Sequence, residues 1–279
     1  MISNKEKYNK YRPKKFLGQN FLVDENIARK IVVSLDISPG DPVAEIGPGQ
    51  GVLTKYIHKL TGNFAAVELD KSIYEKLSSE YKGRLLIIHK DFLDVDINEE
   101  LLKSFDLKGE KRKLKIIGNI PYNITTEILF KLYDSAGIID SAVLMMQKEV
   151  ARRLTAKPGT KDYGILAVQT QINSSPEILF GVPPTAFFPK PRVESSVVRF
   201  RFGKNEFKIT DRDGFKTLVK QSFGQRRKTM KNSLKVFFEK NRIQTEDIDF
   251  DFSRRAETVG IEEFIALHEK IMLLKKPTG

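Results

Sequence analysis

The sequence predicts an α/β fold in which a largely parallel sheet, covered on both faces by helices, is followed by a small all-helical domain. Three observations predict it. Over the first two hundred residues, short apolar runs alternate with stretches of helical spacing, as strands joined by crossover helices do. The last two apolar runs have little helix between them and are expected to pair antiparallel at an edge. After Phe202 the strand signal fades and only helical spacing remains.

The elements follow in order. Glu25–Leu35 reads as a helix, Val43–Ile46 as a buried strand and Val52–Lys59 as a helix. Phe64–Glu68 is a strand, and Asp70 caps the helix Ser72–Ser79 behind it. Leu85–His89 and Leu114–Ile117 are strands, followed by the helix Thr126–Tyr133 and the strand Ala142–Met146. Helices are expected at Val150–Thr155 and Tyr163–Ile172, and strands at Glu177–Phe180 and Ser196–Phe202. Beyond these, Phe215, Leu218, Val219 and Phe223 share a helical face, as do Met230, Leu234, Phe237 and Phe238. A last helical pattern runs from Ile261 through Phe264, Ile265 and His268 to Met272. The expected domains are 1–202, which begins with a basic segment over 1–15, and 203–279. The second, of about 75 residues, gains stability by packing on the first.

Composition narrows the function. The chain has 279 residues and is 40% hydrophobic, enough for a packed core. It has no apolar run of transmembrane length and no apolar leader at the N-terminus, so a cytoplasmic protein is expected. Cysteine is absent and the three histidines lie far apart, so no disulfide, thiolate site or metal centre is expected. The net charge of +12 points to a polyanionic partner, although a generally basic proteome gives the same sum. The charge gathers in two places: Lys5, Lys7, Lys10, Arg12, Lys14 and Lys15, and then Arg226, Arg227, Lys228, Lys231 and Lys235. Such clustering favours nucleic acid.

Four strand ends carry chemistry. Gly47-Pro48-Gly49-Gln50-Gly51 closes the first strand of the sheet and lets the backbone approach a ligand, with spacing unlike a dinucleotide fingerprint. Glu68 ends the next strand, twenty-one residues after Gly47, where an acid suits the two hydroxyls of a ribose. Asp91 follows the third strand, where a carboxylate can accept from an adenine amino group with Phe92 flanking the ring; alone it also reads as a turn residue. Asn119-Ile120-Pro121-Tyr122 follows the fourth. The Asn119 amide oxygen and the Ile120 carbonyl, its direction held by Pro121, can accept both hydrogens of an exocyclic amine, and Tyr122 can stack on the base. The same tetrad also describes a strand that stops at a proline turn. Four coincidences along one sheet edge favour a single site.

On these residues the chain resembles the class I S-adenosylmethionine-dependent methyltransferases, with their Rossmann-like seven-stranded sheet. More closely it resembles the ribosomal RNA adenine N6,N6-dimethyltransferases, over about Lys14 to Leu273. Within that family it is most similar to the bacterial branch that modifies two adjacent adenosines near the 3′ end of 16S rRNA. Lys15-Phe16-Leu17-Gly18-Gln19-Asn20-Phe21-Leu22 looks like the family's N-terminal motif, which implies that Asn20 and Leu22 touch the methionine end of the cofactor. Glu45, Gly47 and Gly49 match its glycine motif, Glu68 its ribose acid, Asp91 its adenine acid and Asn119 to Tyr122 its catalytic tetrad. Pro183 to Ser195 resembles the loop whose aromatic closes over the target base; by position that aromatic is Phe187, with Phe188 the neighbouring choice. Ser222 to Leu234 and Arg254 to Glu257 resemble segments of the 16S enzymes, which implies phosphate contacts from Arg226, Arg227, Lys228 and Lys231. The resemblance implies S-adenosylmethionine as cofactor and 16S rRNA in an immature 30S subunit as partner, with a monomeric protein as the default. A 23S rRNA adenine dimethyltransferase of the macrolide-resistance type, and a non-catalytic nucleic-acid-binding factor on the same fold, are the competing readings.

Overall fold

The computed structural model describes residues 13–14, 17–107, 109–203, 207–225 and 227–274. Two residues, β1 (Phe21–Leu22), pair antiparallel with β8 (Phe187–Phe188). The main sheet holds β2 (Val43–Ile46), β3 (Phe64–Glu68), β4 (Leu86–His89), β5 (Leu114–Asn119), β6 (Ile139–Gln147), β7 (Ser174–Val182) and β9 (Ser195–Phe202). Their order is β4-β3-β2-β5-β6-β9-β7. The first five of these pair in parallel, and β9 lies antiparallel between β6 and β7. The chain steps outward from β2 to β4 and then returns to start β5 on the other side of β2. That reversal leaves a crevice at the carboxyl ends of β2 and β5, where open α/β sheets bind ligands.

β2 and β3 are buried at every position. Strands covered on both faces read as unbroken apolar runs, and the exceptions here, Glu45 and Glu68, are acids. Between β2 and β5 the backbones close up at Gly118, where an added Cβ would sit 2.7 Å from the Ile46 carbonyl oxygen.

The helices are α1 (Glu25–Ser34), α2 (Thr54–Ile57), α3 (Lys71–Glu80), α4 (Thr125–Asp134), α5 (Lys148–Leu154) and α6 (Ile165–Asn173). Asp24 caps α1 by accepting from Asn26 N and Ile27 N, and Asp70 caps α3 through Ser72 N. α2 is shorter than its apolar pattern because turns flank it on both sides. Between β4 and β5 lie a 3-10 turn (Phe92–Asp94), a π-helical turn (Ile97–Leu101) capped by Asp96, and a second 3-10 turn (Leu102–Ser104).

The chain divides into two units, Met1–Ala151 with Ser174–Lys204, and Arg152–Asn173 with Asn205–Gly279. A single boundary at 202/203 is therefore corrected in one respect, because Arg152–Asn173 belongs with the helical unit. Tyr163, Ala167, Val168 and Ile172 share a core with Phe215, Leu218, Phe223 and Phe264. The buried Tyr163 hydroxyl donates to the Val259 carbonyl at 3.0 Å, and Gly159 N donates to the Glu257 carbonyl at 2.7 Å. The rest of this unit is helical: α7 (Arg212–Phe223), α8 (Met230–Ser233), α9 (Lys235–Asn241) and α10 (Ile261–Leu274). No helix among the described residues is long and apolar enough to cross a membrane.

Candidate active site

A cavity of about 280 Å³ opens at the carboxyl ends of the central strands. Four strand ends and the segment 17–22 line it. Asn20, Leu22, Glu45, Gly47, Gly49, Glu68, Asp91, Phe92, Asn119, Ile120, Pro121 and Tyr122 all reach it, so the structure brings together every residue expected there except Phe187.

The glycine loop forms one wall. Gly47 and Gly49 have φ of +61° and +53°, in the left-handed region. A Cβ on Gly47 would meet no protein atom within 4 Å, so the room that a side chain would take belongs to the cavity.

Two buried carboxylates stand behind this loop on adjacent strands. Glu68 Oε2 accepts from Gly49 N at 3.1 Å, and Oε1 from Asp70 N at 2.8 Å. Burial raises its pKa, and the two backbone donors oppose the rise. Glu45 is 1% exposed and accepts from Thr54 Oγ1 at 2.7 Å. Burial pushes it up to about 8, so it carries a proton at neutral pH.

Asp70 does more than cap a helix. Burial works to raise its pKa, but bonds from Lys14 Nζ (2.9 Å), Ser72 and Gln19 Nε2 (3.2 Å) outweigh it and bring it down to about 2. Asp91 Oδ1 accepts from Leu93 N at 2.9 Å and so closes the 3-10 turn that seats Phe92, buried, beside the cavity. The turn reading and the ligand reading of Asp91 are thus compatible.

At the other end stands the tetrad. Asn119 Nδ2 donates to the Asn20 carbonyl at 2.8 Å, which leaves Oδ1 as the group it can offer a ligand. Ile120 N donates to Met145 O at 3.2 Å, and the Pro121 carbonyl accepts from Thr125 Oγ1 at 3.1 Å. Among the described residues no donor reaches the Ile120 carbonyl. The Tyr122 hydroxyl shares a hydrogen bond of 2.6 Å with the fully buried Ser195, and burial raises the Tyr122 pKa, so it stays a phenol. The cavity thus presents acceptors at both ends, Glu68 and Asp91 at one and Asn119 Oδ1 with the Ile120 carbonyl at the other, and Gln19, Gln50, Lys90 and Asn123 also line it, an environment for a ligand with amine and hydroxyl hydrogens.

The placement of Phe187 over this cavity is corrected. Residues opposite each other in an antiparallel pair share a face, and β1–β8 pairs Leu22 with Phe187 and Phe21 with Phe188. Leu22 and Phe187 turn into a core with Val182 and Val197, leaving Phe187 4% exposed. Leu22 itself reaches the cavity, so the Phe187 ring lies one layer behind the wall. Phe188, on the opposite face, is half-buried.

Of the basic cluster, Arg227, Lys228 and Lys231 are exposed; Lys231 lies 3.9 Å from Glu246. Arg226, together with residues 1–12, Lys15 and Phe16, lies outside the described residues. Sequence reasoning missed Gln19 and Ser195 as supports of the site. Both stand inside motifs it had singled out.

The sheet order is that of the class I methyltransferase fold. The family model of the ribosomal RNA adenine dimethylases matches residues 10–271, and the chain belongs to that family. A Ribosomal RNA small subunit methyltransferase A from Chlorobium phaeobacteroides is 44% identical over 271 residues, 97% of this chain and 96% of the relative. One of the same name from Alkaliphilus metalliredigens is 40% identical over 275 residues, covering 95% and 94%. Two solved structures share the fold. A dimethyladenosine transferase from Plasmodium falciparum has a TM-score of 0.70 at 23% identity, covering 91% of this chain and 96% of that one. The 23S rRNA methyltransferase ErmE has a TM-score of 0.63 at 22% identity, covering 91% and 100%.

Proposed function

We propose that this chain dimethylates N6 of two adjacent adenosines near the 3′ end of 16S rRNA in the small ribosomal subunit, as a step in ribosome biogenesis. The observation that carries the chemistry is the pair of acceptors at the cavity, Asn119 Oδ1, turned by Asn20, and the Ile120 carbonyl, which no described group occupies. The names of the curated relatives point to the small subunit. On this reading the protein is cytoplasmic and acts as a monomer on an immature 30S particle.

S-adenosylmethionine supplies a methyl already activated by positive sulfur, so the protein has to hold and orient. Glu68 would accept from ribose hydroxyls and Asp91 from an adenine amino group, with Phe92 beside the ring. Gly47 and Gly49 would let the ligand pass close to the backbone, with the protonated Glu45 behind them, and Asn20 and Leu22 would border its methionine end.

The target adenine is flipped out of the RNA and stacks on Tyr122, a contact worth roughly 1–3 kcal/mol. Its N6 lone pair is delocalised into the ring and is a poor nucleophile. Asn119 Oδ1 and the Ile120 carbonyl take both N6 hydrogens, which favours a pyramidal nitrogen and stabilises the charge that develops there. Transfer of the methyl from the bound sulfonium to N6 would leave a neutral thioether and an ammonium-like nitrogen, whose proton would pass to water. After the first transfer only one hydrogen remains, so one acceptor releases the amine before the second. Arg226, Arg227, Lys228 and Lys231 contact RNA phosphates on this reading.

Radiolabelled methyl transfer to 30S particles that lack the modification tests the proposal, with 50S particles and naked 16S and 23S rRNA as controls. Two methyls per adenosine on the 30S particle are expected. Label confined to 23S rRNA, or absent from every arm, would overturn it.

A further inference from the structure

One segment touches both ends of the cavity. Residues 17–22 line it throughout. At the donor end, Gln19 Nε2 donates to Asp70 Oδ2 at 3.2 Å, and Lys14 Nζ meets Asp70 Oδ1 at 2.9 Å. Gln19 is itself braced, because its Oε1 accepts from Lys14 N at 2.8 Å. Asp70 N in turn donates to Glu68, so the anchor of the segment and the ribose acid belong to one hydrogen-bonded group. Two residues on, the Phe21 ring lies against Gly49, 3.0 Å from where a Cβ there would sit. At the acceptor end, the carbonyl of Asn20 receives Asn119 Nδ2.

Gln19 and Asn20 are neighbours in the chain. The side chain of the first is fastened to the end of β3, and the carbonyl of the second sets the amide at the end of β5. An amide rotates by half a turn at little cost unless a neighbour distinguishes its nitrogen from its oxygen. Here the Asn20 carbonyl makes that distinction, and it can do so only while the segment stays in place.

We propose that Gln19 is a positioning residue for methyl transfer: by fastening residues 17–22 to Asp70, it holds the Asn20 carbonyl against Asn119 and so keeps Oδ1 turned to the substrate amine. This rests on the reading of Asn119 given above. Loss of the fastening loosens the wall that residues 17–22 give the cavity and misorients the acceptor together, while leaving the RNA surface untouched.

The test is a charge series at position 19 in the full-length protein: Gln19→Ala, Gln19→Glu and Gln19→Lys, each checked for folding by thermal melting. Affinity for S-adenosylhomocysteine is measured by calorimetry, and kcat at saturating cofactor is measured separately from KM for 30S particles. Gln19→Ala is expected to lower both the affinity and kcat by roughly three- to tenfold, the worth of one hydrogen bond, with KM for the particle unchanged. Gln19→Glu, which sets a carboxylate against Asp70, falls further, and Gln19→Lys, which restores a donor, recovers both. A series with Gln19→Glu no worse than Gln19→Lys would overturn the proposal, as would unchanged kcat in Gln19→Ala. Asn119→Ala runs alongside as a comparator. If it keeps its turnover, the reading of Asn119 fails whatever the series shows; if it is inactive and the series is flat, only the role of Gln19 fails.

Discussion

Asn119 Nδ2 and the carbonyl of Asn20 meet at 2.8 Å across ninety-nine residues of chain. The contact decides which end of the Asn119 amide faces the cavity. Asn119→Asp removes the donor and sets a carboxylate oxygen against a carbonyl, so turnover should fall on the order of 10²–10³-fold, as when a preorganised polar group is lost from an active site. Asn119→Ala should lose turnover to the same degree while S-adenosylhomocysteine still binds. Single-turnover methylation alongside calorimetry checks both, and an active Asn119→Ala enzyme would remove the residue from the mechanism.

Ser195 holds the Tyr122 hydroxyl at 2.6 Å. Ser195→Ala leaves the ring without its tether at a cost of about 1 kcal/mol in stability. The expected kinetic signature is a lower kcat with S-adenosylhomocysteine affinity unchanged, since Ser195 does not line the cavity. A parallel loss of cofactor affinity would show instead that the whole site had shifted.

Phe187 can be tested without collapsing the core around it. Phe187→Ala should cost about 3–5 kcal/mol, as large core truncations do. Phe187→Leu keeps most of the packing behind Leu22 but removes the aromatic face. If the ring comes forward to stack on the base, Phe187→Leu loses about tenfold or more in turnover with a melting temperature near that of the parent. Turnover equal to the parent would mark Phe187 as packing alone.

Glu68→Ala removes the acceptor of Gly49 N and Asp70 N as well as the group assigned to the ribose. Affinity for S-adenosylhomocysteine should fall about tenfold or more, because both a ligand bond and the set of the glycine loop are lost. Equal affinity by calorimetry would refute the assignment.

Two carboxylates give stability opposite pH dependences. The pKa of Asp70 is held at about 2, below its usual 3.8, so its contribution is present above about 4 and disappears as pH falls through 2. That contribution is about 2 kcal/mol. The pKa of Glu45 is raised to about 8 from 4.5, so its contribution is full below 4.5, declines as pH rises and is gone above 8. Denaturant melts of the ligand-free protein from pH 5 to 9 should show Glu45→Gln gaining on the parent as pH rises. Curves that stay parallel would mean that Glu45 is already ionised at neutral pH.

The central strands were legible because each is an apolar run bounded by turn residues, and Val43–Ile46 and Phe64–Glu68 stand as read. The cavity-lining residues were legible for a related reason: in a parallel sheet, strand ends that alternate with helices in sequence arrive at one edge in space. The pair Phe21–Leu22 and Phe187–Phe188 was not legible, because two residues cannot display a period. The side taken by Phe187 was lost with it, since a shift of one residue exchanges the faces of a strand. The helix read over Tyr163–Ile172 begins two residues later, at Ile165; Tyr163 precedes it, and its partner Val259 lies ninety-six residues away, so nothing local announces it. Gln19 was hidden for the same reason: what matters about it is Asp70, across fifty-one residues.

Gly118 has a consequence for how far this enzyme can be altered. β2 leads into the glycine loop and β5 ends at Asn119, so the spacing of these two strands, about 4.8 Å, sets how the two walls of the cavity face each other. A side chain at 118 would press on the Ile46 carbonyl from 2.7 Å and wedge the two strands apart. A misplacement of about 1 Å is enough to cost roughly 10²-fold in rate. The protein can exchange loops, caps and surface charge around this point, but not add a carbon to it. It hands a methyl group across a gap that it keeps only by withholding one from its own chain.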